Sequence, residues 1–390
     1  MSTLIDASIR LRSSSKWDVA PDVIGVGIAE SDYGAPEFIR EALADYVRSG
    51  SLGYLWDQPQ QALVDSFLVT YAALCDRRVD RETVRLATDV LSAFDIALKT
   101  VGRDGDVVLV PTPAYPPFLD IPERFGKRLV ASPMRWDAAG HWSVDLDHIE
   151  QVVAHHPGGL FVLCNPHNPT GSIATFEELT ALSEVLTAHG WHVFSDEIHA
   201  PVVHGTSPMR SYASVSPSAR EHTITATAAS KGWNIAGLKC AQVVIDNPQL
   251  RRRWDEHVIS GHTGPSTLGV VASTLAYSSE GRAWLHGANA AYRETLEHFH
   301  ARLSTQLPLA RWQVPEATYL SWVDLGAYLD SGLTVAELSD RARVEWLPGA
   351  SCGIAGAYDE WARINCATDA STLDRLIERL GASALRIESL

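Results

Sequence analysis

The sequence has few cysteines, and none of them forms a recognisable pair. There are five in 390 residues, an odd number that is widely spaced, and no Cys-x-x-Cys occurs. This pattern favours reduced thiols over a disulfide framework. A nucleophilic cysteine is poorly supported, because no cysteine lies in an electropositive turn with a histidine placed to activate it.

Long apolar runs and strongly basic stretches are also missing. Nowhere do 18 apolar residues follow one another, and the first residues hold no apolar segment before a small-residue cleavage site. The sequence therefore predicts a cytoplasmic protein with no membrane partner. The formal net charge is -15, and the longest basic run has only three arginines, at 251–253. Without a basic face, nucleic acid is not an expected partner.

What is present is the composition of a folded globular chain, with 46% hydrophobic and 20% charged residues. The chain also has 15 histidines, which raises the question of a metal. Their spacing does not repeat a ligand pair on one element, and Cys164-x-x-His167 has no second half. No metal site is predicted.

From about residue 82, short β-rich runs alternate with helical segments. Because these runs are apolar throughout, they indicate strands buried on both faces, as in a mostly parallel central sheet flanked by helices. The predicted fold class is α/β, with ligands at the carboxyl ends of the strands. The predicted strands are 84–88, 106–110, 128–132, 159–164, 191–195, 222–227 and 241–245.

The chain is predicted to form a large domain over residues 51–285 and a smaller α+β domain over 286–390. The second begins near a long helix, from Ala283 to Leu307. Residues 1–50 hold one clear helix and are predicted to join the small domain. The remaining elements are a helix over 37–48, strands over 319–325 and 361–367, and helices over 334–343 and 371–381.

Three of the predicted strands end in polar side chains. Asn168 follows the strand 159–164, Asp196 follows 191–195, and Lys231 follows 222–227. A carboxylate after an apolar strand is costly unless it meets a cation. A lysine in a nonpolar setting has a depressed pKa and can act as nucleophile and base. The chain has only five lysines, which makes this one informative.

In this order, NPHNPTG, SDEIH and SKGWNIAGLK resemble the fold-type I pyridoxal phosphate enzymes, the aminotransferase class I/II superfamily, over nearly the whole chain. The resemblance implies pyridoxal 5'-phosphate as cofactor. Lys231 would attach it covalently and serve as the base at Cα, while Asp196 would keep the pyridine nitrogen protonated. Asn168 would hydrogen-bond its phenolic oxygen, and Tyr115 in PTPAYPPF would stack on the ring.

The resemblance also implies where the phosphate binds. The backbone amides of Val90 and Leu91 open a helix after strand 84–88, and Ser230 and Lys239 would close the other side. The family usually has glycine where Asp89 stands, and often arginine where Lys239 stands. A carboxylate beside a dianion is unfavourable unless it points away or caps the helix.

Two further matches concern the partner subunit and the substrate. Tyr54 in LGYLWDQP resembles the GY-x-x-x-x-P segment whose tyrosine reaches the phosphate of the neighbouring subunit, which implies a homodimer with shared active sites. Arg363 in WARINCA matches the family's R-[LI]-N segment, whose planar guanidinium grips the α-carboxylate of an amino acid substrate. Asn168 would also contact the substrate.

The motifs DEIH, PAYPPF and SKGWNIAGLK together resemble the MalY/PatB group of cystathionine β-lyases. Aminotransferases commonly have tyrosine where His199 stands, and His199 is predicted to contact the cofactor. GIAESDYGAPEF resembles the group's N-terminal ADMDF-x-x-P segment, which places Ala29 near the substrate. Glu30 and Ser31 depart from that segment, which leaves the substrate open. Trp56 and Trp233 stand beside motif residues and would suit a bulky or amphipathic S-substituent.

The resemblance implies a carbon–sulfur β-lyase that converts cystathionine or another cysteine S-conjugate to thiol, pyruvate and ammonia. An aminotransferase is the alternative, because it shares every step up to loss of the Cα proton. Decarboxylation or oxidative deamination of a cysteine S-conjugate also stays open. A non-catalytic regulator that kept the fold is disfavoured by the retention of Lys231, Asp196, Asn168 and Arg363.

Overall fold

The structure, a computed structural model, describes residues 14–102, 105–258, 263–329 and 333–384. Its strands, in chain order, are β1 Ile24–Gly25, β2 Val84–Ala87, β3 Val107–Thr112, β4 Arg128–Pro133, β5 Arg135–Trp136, β6 Trp142–Ser143, β7 Leu160–Cys164, β8 His192–Asp196, β9 Thr223–Thr227, β10 Ala241–Val244, β11 Leu320–Asp324, β12 Val344–Glu345, β13 Leu347–Pro348 and β14 Trp361–Asn365. Its helices are α1 Glu37–Arg48, α2 Asp57–Cys75, α3 Val90–Thr100, α4 Pro117–Arg124, α5 Leu146–His155, α6 Phe176–Ala188, α7 Pro217–His222, α8 Pro248–His257, α9 Thr267–Ala276, α10 Ser279–Gln306, α11 Val335–Ala342 and α12 Ala370–Ala384.

A seven-stranded sheet in the order β2-β10-β9-β8-β7-β3-β4 forms the centre of the large part. The strands are parallel except β10, which pairs antiparallel with both β2 and β9. Strand β3 is buried along its whole length, as expected for a strand covered by helices on both faces. The predicted α/β class is confirmed, and the one antiparallel strand makes the sheet mixed.

The helices begin where the sequence supplies capping side chains. At α6, the Thr175 side chain accepts from the amide of Glu178, and the Glu178 carboxylate accepts from the amide of Thr175, which is a complete capping box. Asp89 caps α3 and Asp145 caps α5 in the same way with one bond each. Such caps stabilise a helix end by about 1 kcal/mol. They fix where α3 starts relative to the end of β2.

A second, smaller sheet lies near the carboxyl terminus, with the antiparallel order β11-β14-β13. One face packs on α10, α11 and α12 through a separate apolar core that includes Val323 and Ile364. The N-terminal strand β1 pairs in parallel with β12 of this part, so the first described residues lie beside it. No helix in the described ranges is both long and apolar enough to cross a membrane.

Four tryptophans join the two parts of the molecule. Trp136 and Trp142, on the β5–β6 hairpin, stack with ring centroids 5.6 Å apart, and Trp322 and Trp361 of the small sheet stack at 5.4 Å. The two pairs meet edge to face, with Trp142 5.5 Å from Trp361. Aromatic pairs of this kind add about 1 kcal/mol beyond the area they bury. The cluster stabilises the contact between hairpin and small sheet.

Candidate active site

The carboxyl ends of the parallel strands meet at one edge of the large sheet, and the predicted lysine lies there. Lys231 follows β9, and its Nζ donates to the carbonyl oxygen of Ala29 at 2.8 Å. Burial, together with the nearby positive charge of Arg363, lowers the pKa of Lys231 to about 8. An amine with this pKa is partly neutral at physiological pH, as a nucleophile or base must be.

Asp196 is the last residue of β8 and is buried. Its Oδ1 accepts the amide of Ile198 at 3.0 Å, and the Cys164 thiol lies 3.7 Å from Oδ2. Burial raises the pKa of Asp196 to about 7. Among the described residues no cationic side chain lies within ion-pairing distance of this carboxylate, so it is available to a protonated nitrogen of a ligand.

Arg363 lies on β14 of the small sheet, and its side chain reaches Asn168, which follows β7 of the large sheet. One terminal nitrogen of its guanidinium donates to Oδ1 of Asn168 at 3.0 Å, and the other donates to the carbonyl oxygen of Gly27 at 2.7 Å. Its Nε is buried without a hydrogen-bond partner in the described structure. Burial also lowers the pKa of Arg363. A buried guanidinium with unused donors is a binding group for a carboxylate.

Tyr115 and His199 border the same space. Burial raises the pKa of Tyr115, and the nearby positive charge of Arg363 partly offsets this effect. His199 is buried, and its Nδ1 has no partner in the described structure. Burial, followed by the positive charges of Lys231 and Arg363, lowers the pKa of His199 well below its usual value. The imidazole is therefore neutral.

The predicted phosphate turn lies at the start of α3. The Asp89 side chain accepts the amide of Ser92 at 2.7 Å, so the carboxylate caps the helix. The amides of Val90 and Leu91 belong to the first turn, where no acceptor exists inside the helix, and the described residues supply none outside it. The Lys239 amine lies 2.6 Å from the other Asp89 oxygen. Ser230, directly before Lys231, is half-buried.

Tyr54 does not join these residues within one chain. Its side chain is 100% exposed, next to the exposed Leu52 and Trp56. It borders a surface cleft of about 940 Å³ that is also lined by residues 263–267.

Trp233 does not line a substrate pocket. It is fully buried and its indole donates to the carbonyl oxygen of Gly281, so it is part of the core.

Ala29, which the resemblance predicts near the substrate, contributes its backbone carbonyl oxygen to the site. This oxygen accepts from Lys231 and, at 3.0 Å, from the Tyr319 hydroxyl. Gly27 and Tyr319 carried no sequence signal, and the Gly27 carbonyl oxygen accepts from Arg363. The Cys164 thiol beside Asp196 appears in the sequence only as one residue of an apolar strand.

The described ranges contain no group of three or more His, Cys, Asp or Glu side chains arranged to hold a metal ion.

These residues fit pyridoxal 5'-phosphate. Lys231 offers a partly neutral amine for the aldehyde, and Asp196 offers the pyridine nitrogen a buried carboxylate that has no cationic partner among the described residues. The amides of Val90 and Leu91 open a helix and have no acceptor in the described part of the chain, which suits a phosphate. The orphaned Nδ1 of His199 is a further buried polar atom that needs a partner.

Comparisons with known proteins agree with this fit. The sequence profile of the family "Aminotransferase class I and II" matches residues 21–380. The chain is 31% identical to cystathionine beta-lyase PatB of Bacillus subtilis, over 95% of this chain and 96% of PatB. It is 28% identical to protein MalY of Escherichia coli, over 93% of each. A PLP-bound C-S lyase from Staphylococcus hominis superposes with a TM-score of 0.88 at 26% identity, over 98% of each chain. The chain therefore belongs to the class I and II aminotransferase family and, within it, to the MalY/PatB group of enzymes that use pyridoxal 5'-phosphate.

Proposed function

We propose that the enzyme is a carbon–sulfur β-lyase that cleaves cystathionine or another cysteine S-conjugate to thiol, pyruvate and ammonia. The observation that carries the proposal is the partly neutral Lys231 amine beside Arg363, since this pair can bind an amino acid and remove its Cα proton. His199 favours the lyase over the aminotransferase, because a neutral imidazole stands where aminotransferases commonly have tyrosine. The similarity to PatB supports the same choice.

Arg363 binds the α-carboxylate of the substrate in this proposal. Asn168 and the Gly27 carbonyl already fix the plane of its guanidinium, so little conformational entropy is lost when the substrate binds. The remaining N–H groups, including the orphaned Nε, face no other acceptor in the described residues. Two parallel bonds to a carboxylate would orient Cα relative to Lys231.

Lys231 then transfers the proton. Its Nζ takes the proton from Cα, the electron pair moves to form a Cα–Cβ double bond, and sulfur leaves with the electrons of the Cβ–S bond. The thiolate takes up a proton, and water hydrolyses the released aminoacrylate to pyruvate and ammonia. Pyridoxal phosphate, when bound, supplies the electron sink that makes the Cα proton acidic. The Asp196 carboxylate would hold a proton at the pyridine nitrogen of the cofactor.

We also infer a homodimer in which Tyr54 completes the neighbouring active site. A fully exposed tyrosine beside exposed Leu52 and Trp56 is unusual for a free surface. The adjoining cleft, lined in part by residues 263–267 and by Leu86 of β2, lies next to the strand that leads into the phosphate turn. A second chain covering this face would bury the three side chains.

Product analysis without any 2-oxo acid tests the reaction. With a cysteine S-conjugate, the lyase gives thiol, pyruvate and ammonia in equal amounts, in proportion to time. Alanine, which has no leaving group, serves as the control and gives none of these. An aminotransferase would stop after one turnover per site, and a decarboxylase would release carbon dioxide with the C–S bond intact. Either result across a panel of conjugates would contradict the lyase.

A further inference from the structure

Asp89 is the residue of the phosphate turn that departs from the family, and its carboxylate has two partners. Oδ1 accepts the amide of Ser92 at 2.7 Å, and Oδ2 accepts the ammonium of Lys239 at 2.6 Å. Together they hold the pKa of Asp89 below its usual value, although burial alone would raise it. A negative charge therefore lies at the positive end of α3.

The local backbone keeps this carboxylate and its partner in place. Lys239 has a left-handed backbone conformation, with φ of 55°, and its carbonyl oxygen accepts the amide of Ser266 at 2.9 Å. On the other strand, the amide of Thr88 donates to the carbonyl oxygen of Thr263 at 3.0 Å. Asp89 and Lys239 thus face each other from the ends of the paired strands β2 and β10. Moving the carboxylate away would remove the helix cap.

A phosphate on the amides of Val90 and Leu91 would come next to this ion pair. The N-cap bond occupies the third amide of the helix, Ser92, and within the described ranges the first two amides have no acceptor. The only lysine ammonium at this turn is already neutralised by Asp89 among the described residues. The phosphate and the carboxylate would both require Lys239 and the same helix end.

We propose that Asp89 sets the affinity of the enzyme for its cofactor, because its carboxylate competes with the cofactor phosphate for Lys239 and for the N-terminus of α3. The cofactor is held more weakly than it would be with a neutral residue at this position. This inference depends on the phosphate position proposed above and not on the reaction that the enzyme catalyses. It makes Asp89 a determinant of how readily the cofactor dissociates.

The size of the effect follows from partial exposure of the pair. The side chains of Asp89 and Lys239 are 28% and 53% exposed, so solvent screens their charges. A unit charge a few ångströms from a phosphate under such screening changes the dissociation constant by about tenfold. The substitution Asp89→Asn would remove the charge and keep the cap, since asparagine caps helices as well as aspartate does.

Equilibrium dialysis of the full-length enzyme against pyridoxal phosphate measures the effect. For Asp89→Asn the dissociation constant is expected to fall about tenfold. The matched control is Asp145→Asn, because Asp145 also caps a helix, through the amide of His148, and pairs with Arg135 at 2.8 Å, but lies at α5. That variant should keep the wild-type value.

Pyridoxal, which lacks the phosphate, shows whether the change concerns the phosphate. Its dissociation constant should be the same for wild type and Asp89→Asn. An unchanged or increased constant for pyridoxal phosphate, or an equal change for pyridoxal, would overturn the proposal. If Asp89→Asn does not fold, Asp89→Ser provides the same test with another capping residue. The reaction class does not enter this measurement, so a failed lyase assay leaves it intact.

Discussion

Removing the Lys231 side-chain charge should stabilise the cofactor-free protein while abolishing activity. Burial lowers the pKa of Lys231 from 10.5 to about 8, and one pKa unit corresponds to 1.36 kcal/mol. The charged form is therefore disfavoured in the folded state by up to about 3 kcal/mol at pH 7. Lys231→Met, with a neutral side chain of similar length, should raise the free energy of unfolding by about that amount.

The pH dependence of this gain gives a second, independent test. Between pH 8 and 10.5 the unfolded chain keeps the proton that the folded chain has lost, so wild-type stability rises relative to the variant by about 1.4 kcal/mol per pH unit. Urea unfolding of both apoproteins at pH 7 and 9.5 should show the difference shrinking by about 2 kcal/mol. The extra stability of Lys231→Met over wild type is fully present below pH 8 and is absent above pH 10.5.

Lys16 provides the matched control, because it is also a buried lysine but has a carboxylate partner. Its Nζ lies 3.0 Å from Oδ2 of Asp32, and both side chains are almost fully buried. Burial lowers the pKa of Lys16 as well, although Asp32 opposes this. Lys16→Met leaves Asp32 buried without its cation, and this larger cost should lower stability by about 3–5 kcal/mol. If Lys231→Met were no more stable than wild type at pH 7, or if both variants shifted in the same direction, the reasoning would be wrong.

Three further predictions concern the site. Asp196→Ala removes the buried carboxylate proposed for the pyridine nitrogen, so turnover should fall by at least about 100-fold. The absorbance of the bound cofactor would check that the variant still binds it. Arg363→Lys keeps the positive charge but loses the two parallel hydrogen bonds of a guanidinium, so KM should rise more than tenfold while kcat is less affected. An unchanged KM would exclude Arg363 as the binding site of the substrate carboxylate. Mixing Tyr54→Phe with Lys231→Ala subunits should restore partial activity, whereas an active monomer would refute shared sites.

The large sheet could be predicted from the sequence because its strands are apolar without interruption. The run at 159–164 became β7, Leu160–Cys164, and its neighbours agree to within about two residues. The direction of β10 could not be read, because apolar content does not depend on strand direction. Helix α2 has only a weak start signal, the acidic Asp57 in its first turn, because its N-cap residue, Trp56, makes no side-chain capping bond.

The site could be predicted only as far as strand ends determine it. Asp196 ends β8, Lys231 and Asn168 follow β9 and β7, and the carboxyl ends of neighbouring parallel strands meet by geometry. The carbonyl contacts of Ala29 with Lys231 and of Gly27 with Arg363 join residues 202 and 336 positions apart. They depend on the path of the N-terminal segment, which no local pattern encodes.

The tryptophan cluster has an optical consequence. Indole rings within 6 Å of one another share their electronic excitation, and stacked and crossed pairs such as these give strong, opposite-signed bands in circular dichroism. Trp361 lies two residues from Arg363 on the same strand and on the same face. Any shift of the small sheet against the β5–β6 hairpin would change the coupling between the two pairs. The circular dichroism of these tryptophans therefore reports the position of the small sheet relative to the β5–β6 hairpin without any added label.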